Sequence, residues 1–217
     1  MDGAHIAVVN EGIADNQVLG PAEYAPDHAF AGGPSAGSRL DRDVLSLSGV
    51  TDVIWLEGIN DLATGAMPDA VRNGMQAVVD RIRAKIKGVK VFGATLTSSR
   101  ASALPGYGTV DTDEHRHALN DLLRKPGLFD AVIDFDAATV DPQTGEMRPE
   151  FVPPSTFGGA GDKLHPNRPG YVAMGDAVEL GLLAPAPPER PRPRPRPRPA
   201  PADAGDTAST PASPAQE

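Results

Sequence analysis

The apolar positions of the chain follow two patterns. Short continuous runs rich in β-branched residues occur at His5–Asn10 (HIAVVN), Val50–Glu57 (VTDVIWLE), Val89–Leu96 and Ala131–Phe135. Such runs read as strands buried on both faces. Between them, apolar residues recur at three- and four-residue steps. The clearest case is Pro68–Lys87, with Val71, Met75, Val78, Val79, Ile82 and Ile86 on one face. Pro68 suits a first helical turn and Gly88 a stop. Shorter helices are predicted over Pro34–Leu47, Asp113–Lys125 and Pro169–Leu182, and loops over Glu11–Gly33, Thr97–Thr112 and Asp136–Gly161. Strands that alternate with helices, each a continuous apolar run, predict an α/β fold with a parallel sheet covered by helices on both faces. Sites on such sheets lie in loops at the carboxyl ends of strands.

The pattern stops at Ala184. Arg and Pro alternate from Arg190 to Pro199, and Ala, Asp, Thr, Ser, Pro and Gln follow. This composition cannot pack a core, so an extended polyproline II segment and then disorder are expected. Residues 1–184 therefore read as one domain and 185–217 as a tail. The tail reads as a solvated appendage, or as a ligand for a proline-recognition groove or an anionic surface. The whole chain carries −9 and the stretch from Glu189 onward +1, which leaves −10 on residues 1–188. A domain that acidic makes a poor nucleic-acid binder, because phosphate binding depends on Lys and Arg. There are no cysteines, which excludes disulfides, thiolate metal sites and a Cys nucleophile. No apolar run is long enough to span a bilayer. Neither a metal nor a cofactor is expected. His5 opens a strand, His28 lies in a loop, and His115 and His117 face different sides of one helix.

Three loops carry residues of chemical interest. Asp162-Lys163-Leu164-His165-Pro166-Asn167 places an acid three residues before a histidine. Histidine can take and return a proton near neutral pH, and an acceptor on its other nitrogen fixes the tautomer. A helix-terminal acid beside a surface histidine would look the same. Glu57-Gly58-Ile59-Asn60-Asp61 leaves a strand through a glycine and projects an Asn at the sheet edge. Such an amide can donate to an oxyanion, a contact worth about 3–4 kcal/mol in other enzymes. It could equally cap its own turn. Asn10-Glu11-Gly12-Ile13-Ala14-Asp15-Asn16 leaves the first strand and could aim a backbone N–H at the same point, or simply connect strand to helix.

Together and in this order, these blocks resemble the SGNH (GDSL-like) hydrolase family. Gly58-Ile59-Asn60-Asp61 looks like the block that gives the Asn, and Asp162 to Asn167 like the block that gives Asp and His. Val8-Val9-Asn10-Glu11-Gly12-Ile13 looks like the start of the Gly block. Gly33-Pro34-Ser35 and Leu40-Asp41-Arg42-Asp43-Val44-Leu45 extend the resemblance, which runs from about His5 to Leu183. It implies a three-layer α/β/α sandwich of flavodoxin-like strand order 2-1-3-4-5. It also implies serine esterase chemistry on a small-molecule ester, with short acyl esters or acetylated carbohydrate as substrates. His165 would be the general base, Asp162 its orienting acid, and Asn60 with the Gly12 loop the oxyanion hole.

Two departures follow. The Gly block usually carries a second glycine whose N–H lines the oxyanion hole, and Asp15 stands at that position. A backbone donor survives the change, but a carboxylate beside an oxyanion opposes it. The nucleophile of the family sits in a G-D-S motif on the first strand, and no G-D-S occurs here. Ser98 and Ser99 follow a strand, but in a loop that by resemblance shapes the substrate pocket, so no nucleophile is assigned within this chain. The missing strand is the central one. Its loss would leave buried edges, each unsatisfied group costing about 1–3 kcal/mol. The expectation is therefore an N-terminally truncated hydrolase, with its start placed at Met1 inside a longer reading frame, poorly folded and inactive as given. The alternative is a non-catalytic binding module of the same fold.

Overall fold

The computed structural model describes residues 6–21, 32–154 and 159–183. By contacts the chain divides into two units, Met1–Ala186 and Pro187–Glu217. The second unit, and with it the expected polyproline segment, lies outside the described residues, as do His5 and His28.

The first unit contains a three-stranded parallel sheet. Its strands are β1 (Asp52–Trp55), β2 (Lys90–Ala94) and β3 (Ala131–Ile133), in the order β1-β2-β3. Val53 pairs with Val91, and Gly93 with Val132, which sets the register. The helices are α1 (Ala36–Leu40), continued by a π-helical turn over Asp41–Leu45, α2 (Ile59–Ala63), α3 (Pro68–Lys85), α4 (Val110–Arg124), α5 (Phe135–Thr139) and α6 (Arg168–Asp176). Among the described residues no helix is long and apolar enough to cross a membrane.

Side chains along a strand point to alternate faces, and β2 shows the consequence. Val91 joins Val71, Val79, Leu119 and Leu123 in the larger core, under α3 and α4. Phe92 and Ala94 join Ile133, Phe135 and Met174 in a smaller core on the other face, under α5 and α6. The protein is thus the expected three-layer α/β sandwich. Helix α3 carries the predicted apolar stripe, with Val71, Met75, Val78, Val79 and Ile82 buried. Helix α4 buries an ionic cluster as well. Arg116 is fully buried and donates to Asp113 at 2.9 Å and to Asp136 at 2.8 Å. Beside it Asn120 bonds both the N–H and the carbonyl of Leu96, which anchors the chain as it leaves β2.

Four expectations change, the first being that the segment Gly58–Asp61, read as a loop, opens helix α2. The run at His5–Asn10 forms no strand over its described part, residues 6–10, and Val8 is 88% and Val9 63% exposed. An apolar run becomes a strand only by pairing, and among the described residues no strand flanks it. No strand among the described residues lies beyond β1 in the sheet, and Ile54 on that strand and Leu56 just after it are exposed. The stretch after Phe135, read as loop, begins with α5, because Asp134 caps it by accepting from the Ala137 N–H. The last helix ends at Asp176, and Leu180–Leu182 form a separate 3-10 turn.

Candidate active site

The Asp162–His165 turn is built by its own backbone. Lys163 sits at φ 57°, the left-handed region, which lets the chain turn back within three residues. One oxygen of Asp162 accepts the N–H groups of Leu164 at 2.9 Å and His165 at 2.8 Å. The other lies 2.7 Å from Nδ1 of His165. A carboxylate can only accept, so Nδ1 carries the proton and Nε2 of the neutral ring is the basic nitrogen. Burial works against the Asp162 charge, but the His165 N–H, the imidazole and the Leu164 N–H outweigh it and hold the carboxyl below its ordinary range. The turn is pinned from both ends. Lys163 reaches Glu146 at 2.8 Å, and Asn167 caps α6 while donating to the carbonyls of Glu150 and Pro153.

Asn60 lies one residue into α2, directly beyond β1. Gly58 makes the exit possible. At φ 121° it adopts a conformation that L side chains rarely take, and a Cβ there would press on Leu119, Met75 and Val71. The Asn60 amide is gripped on both sides. Its Nδ2 donates to the carbonyl of Asn16 at 2.7 Å, and its Oδ1 accepts from the Tyr107 hydroxyl at 2.8 Å. One N–H of the amide is thereby used, and the second is not consumed by the Asn16 contact. Asp61, buried beside it, accepts the N–H groups of Val18 and Leu19 and so ties the segment after Asn16 onto α2. Burial pushes the Asp61 carboxyl upward, against those two N–H groups.

The Glu11–Asn16 loop is the third element. The side chain of Asn10 accepts the Gly12 N–H at 2.9 Å, so that donor is already occupied. Asp15 is exposed and stands at φ 60°, as a position suited to glycine would. Its charge, after burial, raises the Tyr107 phenol above its ordinary value. Arg39 secures the loop. Its guanidinium reaches Asn16 Oδ1 at 2.8 Å, the Glu11 carbonyl at 2.7 Å, Asp43 at 2.9 Å and Glu57 at 3.1 Å. Arg39, Asn16 and Tyr107 carried no role in the sequence reading. Their contacts to the site span 18 to 47 positions of the chain, a distance no local pattern reveals.

Ser98 and Ser99 lie in the loop after β2. Both are fully buried, and their hydroxyls donate to the carbonyls of Gly145 at 2.7 Å and Tyr107 at 2.9 Å. Both hydroxyls fix the loop to its surroundings. The two polar atoms buried without a partner among the described residues are Trp55 Nε1 and Glu57 Oε2, both at the end of β1.

Three solved structures share the fold at low identity. A GDSL-like lipase from Bacteroides thetaiotaomicron VPI-5482 is 19% identical, with a TM-score of 0.53 over 64% of each chain. This chain thus spans less than two thirds of that protein's length. The aryl esterase of M. smegmatis is 14% identical, with a TM-score of 0.56 over 79% of this chain and 75% of its own. A carbohydrate acetylesterase from Sinorhizobium meliloti is 15% identical, with a TM-score of 0.52 over 72% and 70%. No curated protein sequence matches. The parallel sheet, the Asn at the end of β1 and the Asp-His turn before α6 stand in one continuous stretch, and a sequence model of one family covers that stretch, residues 3–173. The chain belongs to the GDSL-like lipase/acylhydrolase family.

Proposed function

We propose that this chain supplies the base and the oxyanion donor of a serine ester hydrolase acting on short acyl or acetyl esters. The serine itself comes from a segment outside these 217 residues. The Asp162–His165 pair carries the reading. Its 2.7 Å contact fixes the tautomer in which Nδ1 carries the proton and Nε2 is the acceptor nitrogen. In this reaction the serine oxygen attacks the ester carbonyl carbon, and its proton passes to Nε2 of His165. The carbonyl oxygen becomes an oxyanion, which receives the free N–H of Asn60 and a backbone N–H of the Glu11–Asn16 loop. The tetrahedral intermediate collapses, and His165 gives the proton to the departing alcohol. Water then attacks the acyl-enzyme with His165 again as base, releasing the acid and the serine.

Among the described residues no strand lies beyond β1 in the sheet, and a serine carried on a further strand there would fit the reading. A strand ending in a serine beside β1 would pair that edge and cover exposed Ile54 and Leu56. It would also approach the orphaned Trp55 Nε1 and Glu57 Oε2. The test is direct. The polypeptide extended upstream to include that strand should hydrolyse p-nitrophenyl acetate, and His165→Ala should lower the rate at least about a thousandfold. The 217-residue chain should not turn over the ester. Robust turnover by it, or activity that survives His165→Ala, would sink the assignment.

A second reading is a binding module of the same fold without turnover. Asp15 favours it, because a carboxylate at that position opposes a developing oxyanion. Binding of an ester by the extended polypeptide without its hydrolysis would select this reading.

A further inference from the structure

The Asn60 amide is an oxyanion donor only if its nitrogen, not its oxygen, faces the substrate. We propose that Tyr107 is the positioning residue that fixes this amide and strengthens its remaining N–H. The proposal rests on the ester-hydrolase reading above.

The geometry assigns both ends of the amide. The Asn16 carbonyl can only accept, so the atom 2.7 Å from it is Nδ2, and Oδ1 lies on the Tyr107 side. The Tyr107 hydroxyl, 2.8 Å from Oδ1, must then donate. A flipped amide would set two acceptors against each other at Asn16 and leave the phenol facing an N–H. The two contacts thus lock one orientation about the terminal side-chain bond, which is otherwise broad and roughly two-fold. The Tyr107 contact has a second effect. An amide whose oxygen accepts a hydrogen bond is polarised, and its N–H groups become better donors. The N–H left for the oxyanion is therefore stronger with the phenol than without it.

Tyr107 can do this because its loop is rigid. The Ser99 hydroxyl holds the Tyr107 carbonyl at 2.9 Å, and the Tyr107 N–H bonds the Leu104 carbonyl. Thr112 Oγ1 on α4 donates to the Gly106 carbonyl at 2.6 Å. Gly106, at φ +85°, lies against α2 so closely that a Cβ there would meet the Ala63 carbonyl oxygen at 2.5 Å. The loop after β2 is thus docked on the same short helix that carries Asn60. The other anchor is equally fixed, since Asn16 donates to the carbonyls of Gly32 and Pro34 and accepts from Arg39. A tyrosine placed only for packing would not need its hydroxyl on the Asn60 amide oxygen.

Two measurements test this. In the 217-residue chain, Tyr107→Phe should shift the side-chain Nδ2H2 and Cγ resonances of Asn60 and leave those of Asn120 and Asn167 in place. The latter two report that the variant is folded. In the serine-bearing polypeptide, Tyr107→Phe should lower kcat for p-nitrophenyl acetate about tenfold with KM within twofold. In an Asn60→Ala background the same change should cost nothing further. An unmoved Asn60 resonance, an effect on KM alone, or an undiminished loss in the Asn60→Ala background would each overturn the proposal. Failure of the hydrolase reading looks different. Asn60→Ala would then leave turnover unchanged, or turnover would be absent, while the Asn60 resonance still moved.

Discussion

At the scale of single residues, Asp15 is the exposed charge in the loop beside Asn16. Its backbone is already left-handed, so the residue costs more there than glycine would, by roughly 1 kcal/mol. Its carboxylate is felt at Tyr107, whose hydroxyl touches the Asn60 amide. On the ester-hydrolase reading, a carboxylate in this loop raises the energy of an oxyanion held by Asn60. At an effective dielectric of about 20 or more the penalty is on the order of 1 kcal/mol. Asp15→Gly should therefore raise kcat of the serine-bearing polypeptide about three- to tenfold. Asp15→Asn should recover most of that gain, since it removes the charge and keeps the backbone. The advantage should shrink as salt is added, because the charge is exposed. Equal kcat for all three proteins at low salt would remove Asp15 from the account of the site.

At the scale of elements, the loop after β2 depends on α4. Arg116 sits fully buried between Asp113 and Asp136 and also reaches the Leu96 carbonyl. Removing one member of a buried ionic group leaves uncompensated charge and costs about 3–5 kcal/mol. Arg116→Ala should lower the unfolding free energy by that amount in urea titrations, whereas Lys85→Ala, at an exposed position of α3, should change it by less than about 0.5 kcal/mol. Comparable losses for the two would mean the cluster is not what holds α4. The elements also show what a sequence can carry. Helices α3 and α4 and strands β1 to β3 were readable because each declares its face locally, by Val71 and Val79 at helical spacing or by unbroken runs such as VIW. The Asp162–His165 pair was readable for the same reason, since both partners lie on one turn. Residues 6–10 were misread because their apolar run is necessary for a strand but does not supply the neighbour a strand needs. The grip on Asn60 was invisible because Asn16 and Tyr107 meet it from 44 and 47 positions away.

At the scale of the whole first unit, carboxylates held by partners or by burial make stability depend on pH in two opposing ways. Hydrogen bonds and charge from Arg42 and Arg39 hold Asp43 down to about 2 despite its burial. Asp130, Asp134 and Asp162 are also held below their ordinary value, each by partners that outweigh burial. A depressed folded pKa contributes stability above the unfolded value, near 3.9, and loses it as pH falls toward the folded one. Glu57 and Asp61 behave in the reverse sense. Burial raises both, so each costs stability at neutral pH, and the cost is relieved when acidification protonates them in the folded state first. Stability should therefore rise slightly as pH falls from neutral toward the ordinary carboxylate range, then drop steeply between about 4 and 2. Glu57→Gln should flatten the rise, since Gln keeps an acceptor for Arg39 but has no charge to bury. Asp43→Asn should make the acid drop shallower. Urea midpoints measured across this range check both limbs. A wild-type profile that falls monotonically from pH 7, unchanged by Glu57→Gln, would mean that the strand end carrying Glu57 is more open to water than its burial implies.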